Sequence, residues 1–188
     1  MPHRQKKSPL PRLWLFTDER IADHILMASV ARLPRGSGIV FRHYGLGPAE
    51  RRVLFSRIRK LARKRGLVLL LAGEKAGIPR SRASGVHRPE WAAGRMRPAR
   101  PALFSVAAHG PRGLIAARSG GADFAFLSPV FPTRSHPKAR TLGPVRFGLI
   151  AQAARLPVIA LGGVDEAHFR RLRPLGAYGW GAIDALTR

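Results

Sequence analysis

The sequence contains no cysteine, and this excludes disulfide bonds and thiolate metal sites. It also has no apolar run near the roughly 20 residues that cross a bilayer as a helix. The longest run, residues 67–72, has the length of a strand. Pro9 and Pro11 follow the basic N-terminal residues, where a signal peptide would carry its apolar segment. We therefore expect a cytoplasmic protein with no membrane partner.

Acidic residues are also scarce: 10 Asp and Glu stand against 34 Lys and Arg, which gives a formal net charge of +24. Such a charge attracts polyanions of any kind, including phosphorylated metabolites, nucleic acids and anionic membranes. The basic residues are dense only over residues 51–65, where aromatic residues do not alternate with them as base stacking would require. We interpret the charge as a solvated, arginine-rich surface and do not expect nucleic acid as the partner.

The 188 residues suggest one domain, and a hydrophobic fraction of 45% is enough for a sizeable core. We predict a basic, disordered tail over residues 1–12 and a single domain over residues 13–188. The clearest helix is 48–65, where Pro48 suits the first turn and Gly66 the end. Its apolar residues recur at helical spacing, at Val53, Leu54, Ile58 and Leu61.

Short apolar runs alternate with longer amphipathic stretches along the chain. The runs predict eight strands, at residues 13–16, 38–42, 67–71, 85–87, 103–106, 123–127, 157–161 and 178–180. The stretches between them predict helices at 19–32, 48–65, 111–119, 144–155 and 165–173, with a stunted fourth helix and a short last one at 182–188. Eight parallel units favour a compact (β/α)₈ TIM barrel, and an open flavodoxin-like sheet is the alternative.

Several short motifs follow one another at the ends of these strands. In chain order they are Leu15-Phe16-Thr17-Asp18, Ile39-Val40-Phe41-Arg42, Ser84-Gly85-Val86-His87, Ala108-His109, Gly120-Gly121-Ala122-Asp123, Ser128-Pro129-Val130-Phe131-Pro132-Thr133, Leu161-Gly162-Gly163-Val164 and Leu175-Gly176-Ala177-Tyr178-Gly179. Their order and spacing resemble the thiamine phosphate synthase family and its thiazole tautomerase relatives. The resemblance implies a TIM barrel that binds phosphorylated small molecules.

A phosphate site is expected beyond strands seven and eight, where barrels commonly hold one. Gly162 and Gly163 let the backbone approach a phosphate closely and point its N–H groups at it, and Ile183 lies in the turn after strand eight. The alternative is that the two glycines only serve a tight turn. Asp184 comes next, where the family has a small hydroxyl residue, and its carboxylate would repel a phosphate unless it points away.

The resemblance also implies a diphosphate site and groups for proton transfer. Arg42 remains from the basic residues of the family's second strand, and the loop after strand six supplies Thr133, Ser135 and His136. We expect these four residues to hold diphosphate. His109 and His136 can titrate near neutrality, so they join Arg42 as catalytic candidates. Surface histidines without a catalytic role are the alternative.

The resemblance implies Mg²⁺ as well, held by aspartates that follow strands three and four, because this ion prefers hard oxygen ligands. Here the two positions read Ala72-Gly73 and Trp91-Ala92, and neither pair binds a metal. Mg²⁺ is thus the implied cofactor, but its ligands are not evident and we assign no metal residue. Glu74 and Glu90 lie next to these positions and would replace the aspartates if the register differs by one or two residues.

Three hypotheses follow for the function. The first is a transferase of thiamine biosynthesis that joins hydroxymethylpyrimidine diphosphate to thiazole phosphate with release of diphosphate. The second is a diverged or non-catalytic paralogue that binds a phosphorylated thiamine precursor. The third is a basic protein that binds a polyanion such as RNA. A requirement for Mg²⁺ separates the first from the second, and a steep salt dependence of binding marks the third.

Overall fold

The computed structural model describes residues 10–73, 78–93, 103–135, 137 and 139–188. Its strands pair in chain order, all of them parallel, and the first pairs with the eighth to close a barrel. The predicted (β/α)₈ barrel is therefore confirmed, and the open-sheet alternative is wrong. The strands are β1 (Leu13–Phe16), β2 (Gly38–Phe41), β3 (Val68–Ala72), β4 (Gly85–Arg88), β5 (Leu103–Ala108), β6 (Phe124–Leu127), β7 (Val158–Ala160) and β8 (Gly179–Ala182).

Five α-helices surround the described part of the barrel: α1 (Asp23–Arg32), α2 (Pro48–Arg65), α3 (Pro111–Ser119), α4 (Gly143–Ala153) and α5 (Glu166–Leu172). Between β4 and β5 the described residues form only a 3₁₀ turn, Glu90–Ala92, as expected for a stunted fourth helix. The last helix, predicted over residues 182–188, was placed wrongly at its first residue. Gly181 and Ala182 continue β8 and pair with β1, and only a 3₁₀ turn at Asp184–Leu186 follows. No helix in the described ranges has both the length and the apolar character needed to cross a membrane.

Helix α2 begins and ends where its sequence signals predict. Gly66 ends it in the left-handed conformation (φ 65°), and its N–H donates to carbonyl groups of the last turn. Leu54 and Ile58 are buried against the strands, whereas Val53, which shares their helical spacing in the sequence, is 61% exposed. Arg51 is buried on the inner face instead.

Bulky aromatic residues fill the barrel below the C-terminal ends of its strands. Trp14 packs on Phe124 and Phe126 at ring-centroid distances of 5.0 and 5.5 Å. Gly38 makes room for this indole, because a Cβ there would overlap the ring. The filled interior makes the C-terminal end, where the β–α loops lie, the expected place for a ligand.

The N-terminal end of the barrel is closed by the residues that precede β1. The Tyr178 hydroxyl donates to the carbonyl of Leu10 (3.0 Å), and Trp14 Nε1 donates to that of Pro11 (2.8 Å). The backbone N–H of Trp180 donates to the carbonyl of Arg12 (2.7 Å). Residues 10–12 of the predicted tail thus contact the barrel, whereas residues 1–9 lie outside the described residues.

Candidate functional site

A cavity of about 630 Å³ opens at the C-terminal end of the barrel. Its walls come from the ends of the strands and from the loops that follow β2, β4, β5, β6, β7 and β8. All the described residues that the sequence predicted for the site line it: Arg42, His109, Thr133, Ser135, Gly162, Gly163 and Ile183. His136, the remaining predicted residue, lies outside the described residues.

The turn after β7 has the backbone of an anion-binding loop. Gly162 and Gly163 have φ values of 89° and 64°, which L side chains rarely adopt. A Cβ at Gly163 would overlap the carbonyl oxygen of Pro132, so the loop after β6 packs directly on this turn. Within the described part of the chain, the N–H groups of both glycines have no hydrogen-bond partner, which leaves them available to an anion.

Helix α5 starts immediately beyond this turn and is capped by Asp165. The Asp165 carboxylate accepts a hydrogen bond from the backbone N–H of His168 (2.8 Å), and this bond holds the pKa of Asp165 below its usual value. The His168 ring also lines the cavity and stacks on Phe131, with ring centroids 4.2 Å apart. Our sequence reasoning did not select His168, although its place in the first turn after the Gly-Gly pair was a usable signal.

The turn after β8 brings a carboxylate to the cavity. Asp184 follows Ile183, and its two oxygens accept hydrogen bonds from Nη2 and Nε of Arg134, at 2.8 and 3.2 Å. Thr133 lies beside this pair in the cavity wall. The Asp184 carboxylate, which the sequence suggested would repel a phosphate, is thus paired with an arginine from the loop after β6.

Arg42 projects from the end of β2 with its charge already paired. It donates to the Thr17 carbonyl (2.9 Å) and to the Asp18 carboxylate (2.8 Å). Arg20 also donates to Asp18 (2.8 Å), and it reaches the hydroxyl of Ser135 across the cavity mouth (3.1 Å). Burial raises the pKa of Asp18, but the hydrogen bonds and charges of the two arginines more than offset this, so the pKa is lowered.

His109 is held by hydrogen bonds at the end of β5. Its Nδ1 lies 2.8 Å from the carbonyl oxygen of Ser128, which can only accept, so the proton of the neutral ring is on Nδ1. Its Nε2 lies 3.8 Å from the Glu90 carboxylate, which also accepts from the His109 backbone N–H (3.2 Å). The ring is 60% exposed and therefore accessible from the cavity.

Two comparisons with known sequences place this site in a family. The family model described as thiamine monophosphate synthase matches residues 13–186. The chain belongs to this family. A relative from Aquifex aeolicus (strain VF5), described as putative thiamine-phosphate synthase 2, is 33% identical over 182 residues, which cover 93% of this chain and 96% of the relative. The thiamine-phosphate synthase of Methanospirillum hungatei JF-1 is 26% identical over 182 residues, covering 93% of this chain and 88% of that protein.

A solved structure agrees with the fold of this thiamine monophosphate synthase family. The thiamine phosphate pyrophosphorylase from Pyrococcus furiosus superposes with a TM-score of 0.74 at 21% identity, covering 95% of this chain and 87% of that one. The chain is thus thiamine phosphate synthase-like in sequence and fold. The family's reaction is a transfer between phosphorylated small molecules.

The family's Mg²⁺ does not fit the residues at the two expected positions. Gly73 has a φ of 82°, and a Cβ there would lie 2.9 Å from the ring of Tyr44. Trp91 is 76% exposed and supplies no oxygen ligand. Glu90 instead accepts a hydrogen bond from the backbone N–H of His109. Glu74 lies outside the described residues. In the ranges that the structure describes, no three His, Asp or Glu side chains gather as metal ligands would.

His87 lies in the cavity wall, although the sequence suggested it only as part of a family motif. The ring is 7% exposed, and Nδ1 is 2.9 Å from the hydroxyl of Ser105. It meets Phe16 and Phe126 edge-on at centroid distances of 5.7 and 5.3 Å. Burial, and to a lesser degree the charge of Arg42, lowers the pKa of His87 to about 3. The imidazole is therefore neutral at physiological pH and acts there as a hydrogen-bonding group.

Proposed function

We propose that this thiamine phosphate synthase-like chain binds thiazole phosphate at the Gly162–Gly163 turn and that it does so without Mg²⁺. The observation that carries the proposal is the pair of N–H groups in this turn, which have no partner within the described residues. The glycines are also the only residue type that the local packing admits, because their φ values are positive and Cβ atoms would meet Pro129 and Pro132. Preformed N–H donors of this kind bind phosphate oxygens.

The rest of the cavity favours an uncharged ring over a second, metal-bound phosphate group. Phe16, Tyr44 and neutral His87 line this part. The cation that the family would direct at a diphosphate, Arg42, is paired with Asp18 at 2.8 Å. A planar heterocycle fits such a wall, whereas a diphosphate would have to break the ion pair. This supports a diverged, metal-independent binder of one phosphorylated thiamine precursor. We propose a cytoplasmic location for it, as for a biosynthetic family.

The complete transfer reaction is the second candidate, and the names of the full-length relatives favour it. In that reaction the thiazole nitrogen bonds to the methylene carbon of the pyrimidine, while the carbon–oxygen bond breaks and diphosphate leaves with the electron pair. The leaving group needs cations close by. Arg42, Arg134 and Arg188 line the cavity, and Arg20 reaches its mouth. Of these arginines, Arg20, Arg42 and Arg134 are already paired with aspartates.

Calorimetric titration with thiazole phosphate, with and without Mg²⁺, tests the proposal. We expect binding that Mg²⁺ does not change, and no binding of the alcohol that lacks the phosphate. Hydroxymethylpyrimidine diphosphate and an assay of released diphosphate test the second candidate. Metal-dependent diphosphate binding with turnover would establish the complete reaction instead. Binding of neither compound would reject both candidates and leave the basic surface as the remaining hypothesis.

A further inference from the structure

Arg134 and Asp184 form an ion pair inside the wall of the cavity. The guanidinium comes from the loop after β6, and the carboxylate comes from the turn after β8. The contact is bidentate, which is the geometry that a guanidinium also uses to bind phosphate. The Arg134 side chain is 74% exposed, so it can change partner without disturbing the core.

Both residues of the pair are close to the proposed phosphate turn. Arg134 lies two residues after Pro132, whose carbonyl oxygen packs directly against Gly163. Asp184 follows Ile183, which lines the same cavity as the two glycines. A phosphate that reaches the turn therefore arrives between a carboxylate that repels it and an arginine that is already engaged.

A second arginine strengthens the positive side of this mouth. Arg20 donates to the hydroxyl of Ser135, the residue after Arg134, and Arg20 is close enough to feel the charges of both Arg134 and Asp184. Asp184 is the carboxylate that engages Arg134 here, so its charge opposes the binding of a dianion at the mouth. A carboxylate that only holds a loop in place would not lower the affinity for phosphate, so removal of the Asp184 charge distinguishes the two roles.

We propose that Asp184 is an internal competitor for Arg134, and that a ligand phosphate displaces it to complete the phosphate site. The inference rests on the proposed function and specifies it further. Arg134 is then a phosphate-binding residue that is free to act only after release from Asp184. The carboxylate makes binding weaker than the turn and the arginine would allow, and it selects against ligands whose anionic group is too weak to displace it.

The decisive variant is Asp184→Asn, which keeps the shape of the side chain and removes its charge. We expect it to tighten binding of thiazole phosphate and of inorganic phosphate by about fivefold, in line with the removal of one charge near a protein surface. The matched control is Asp23→Asn, which also removes one carboxylate paired with an arginine, here Arg57 at 3.1 Å on the helical shell. This control should leave both affinities unchanged at the same ionic strength.

Arg134→Gln should weaken phosphate binding, and its effect should persist when Asp184 is replaced as well, because the arginine then contacts the ligand directly.

Weaker binding by Asp184→Asn would mean that the pair only positions the loop, and an affinity equal to that of Asp23→Asn would mean no competition. Either result overturns this inference and leaves the proposed function intact. Failure of both the parent protein and Asp184→Asn to bind overturns the proposed function and this inference together. Binding by Asp184→Asn alone would support the competition.

Discussion

The ring of Tyr44 lies against Gly73, at the position where the family would carry a metal-binding aspartate. A Cβ on Gly73 would be 2.9 Å from a ring carbon, and the φ of 82° already disfavours any other residue. Tyr44 lies two residues after Arg42 and also lines the cavity. An aromatic ring thus lies beside the position where the resemblance implied a metal ligand.

Replacement of Gly73 by alanine measures this contact. Gly36 is the matched control, because its φ is 79° and no atom lies within 4 Å of the place that a Cβ would take. Each alanine costs roughly 1–2 kcal/mol for the left-handed backbone, and Gly73→Ala should cost about 1 kcal/mol more for crowding against the ring. Guanidinium unfolding gives the two free energies. In a Tyr44→Ala background the difference should vanish, and equal costs with Tyr44 present would contradict the contact.

The phosphate turn gives a sharper prediction. Gly163→Ala should destabilise the fold by about 3 kcal/mol, because it adds crowding against backbone to a strained φ. Binding of thiazole phosphate should fall below detection in calorimetry. Gly143→Ala is the control, since Gly143 has a φ of 69° but open space around it. If Gly163→Ala binds as tightly as Gly143→Ala, the turn is not the phosphate site.

Arg51 ties the ends of β2 and β3 together from inside the molecule. Its guanidinium donates to the carbonyl oxygens of Arg42, His43 and Ala72, at distances of 2.8 to 3.2 Å. Arg51→Leu leaves these carbonyls without their donor and should cost about 3 kcal/mol. Arg52→Leu, on the exposed side of α2, is the control and should change the unfolding free energy by less than about 0.5 kcal/mol. Similar costs for the two variants would show that water replaces the guanidinium freely.

The same arginine illustrates how far the sequence could predict the site. Local signals placed α2 and α3 with their correct ends, since proline at the first turn and glycine after the last are read within a few residues. Arg51 lies three residues before Leu54 and seven before Ile58, and this spacing was the available signal for its burial. In the sequence it could not be distinguished from the solvated arginines around it. The backbone carbonyls that accept its hydrogen bonds lie in other parts of the chain.

Pairing across the barrel limited the remaining predictions. The sequence assigned Gly181 and Ala182 to a loop and a helix, but contact with Trp14 and Leu15 makes them strand. The sequence also placed Arg42 in the site, but it did not predict that Asp18 would be its partner. Asp18 and Arg42 follow the neighbouring strands β1 and β2, so their ion pair depends on how the strand ends come together in the barrel.

His87 provides a test through the pH dependence of stability. Its pKa is about 3 in the folded protein, against about 6.5 in an unfolded chain. Between these values the unfolded state binds the proton and the folded state does not, so stability falls as the pH is lowered. From pH 7 to pH 5 this group should remove about 2 kcal/mol of unfolding free energy. Guanidinium unfolding at the two pH values measures the loss.

His87→Gln is the comparison that isolates this effect, because glutamine keeps a polar side chain beside Ser105 and cannot take up the proton. The variant should lose about 2 kcal/mol less than the parent protein over the same interval. Burial also lowers the pKa of His43, which contributes in the same direction but equally to both proteins. Equal losses would mean that His87 is protonated in the fold near pH 5. In that event the wall of the cavity beside Phe16 carries a cation near pH 5, and at that pH an uncharged ring would no longer be the ligand that this wall favours.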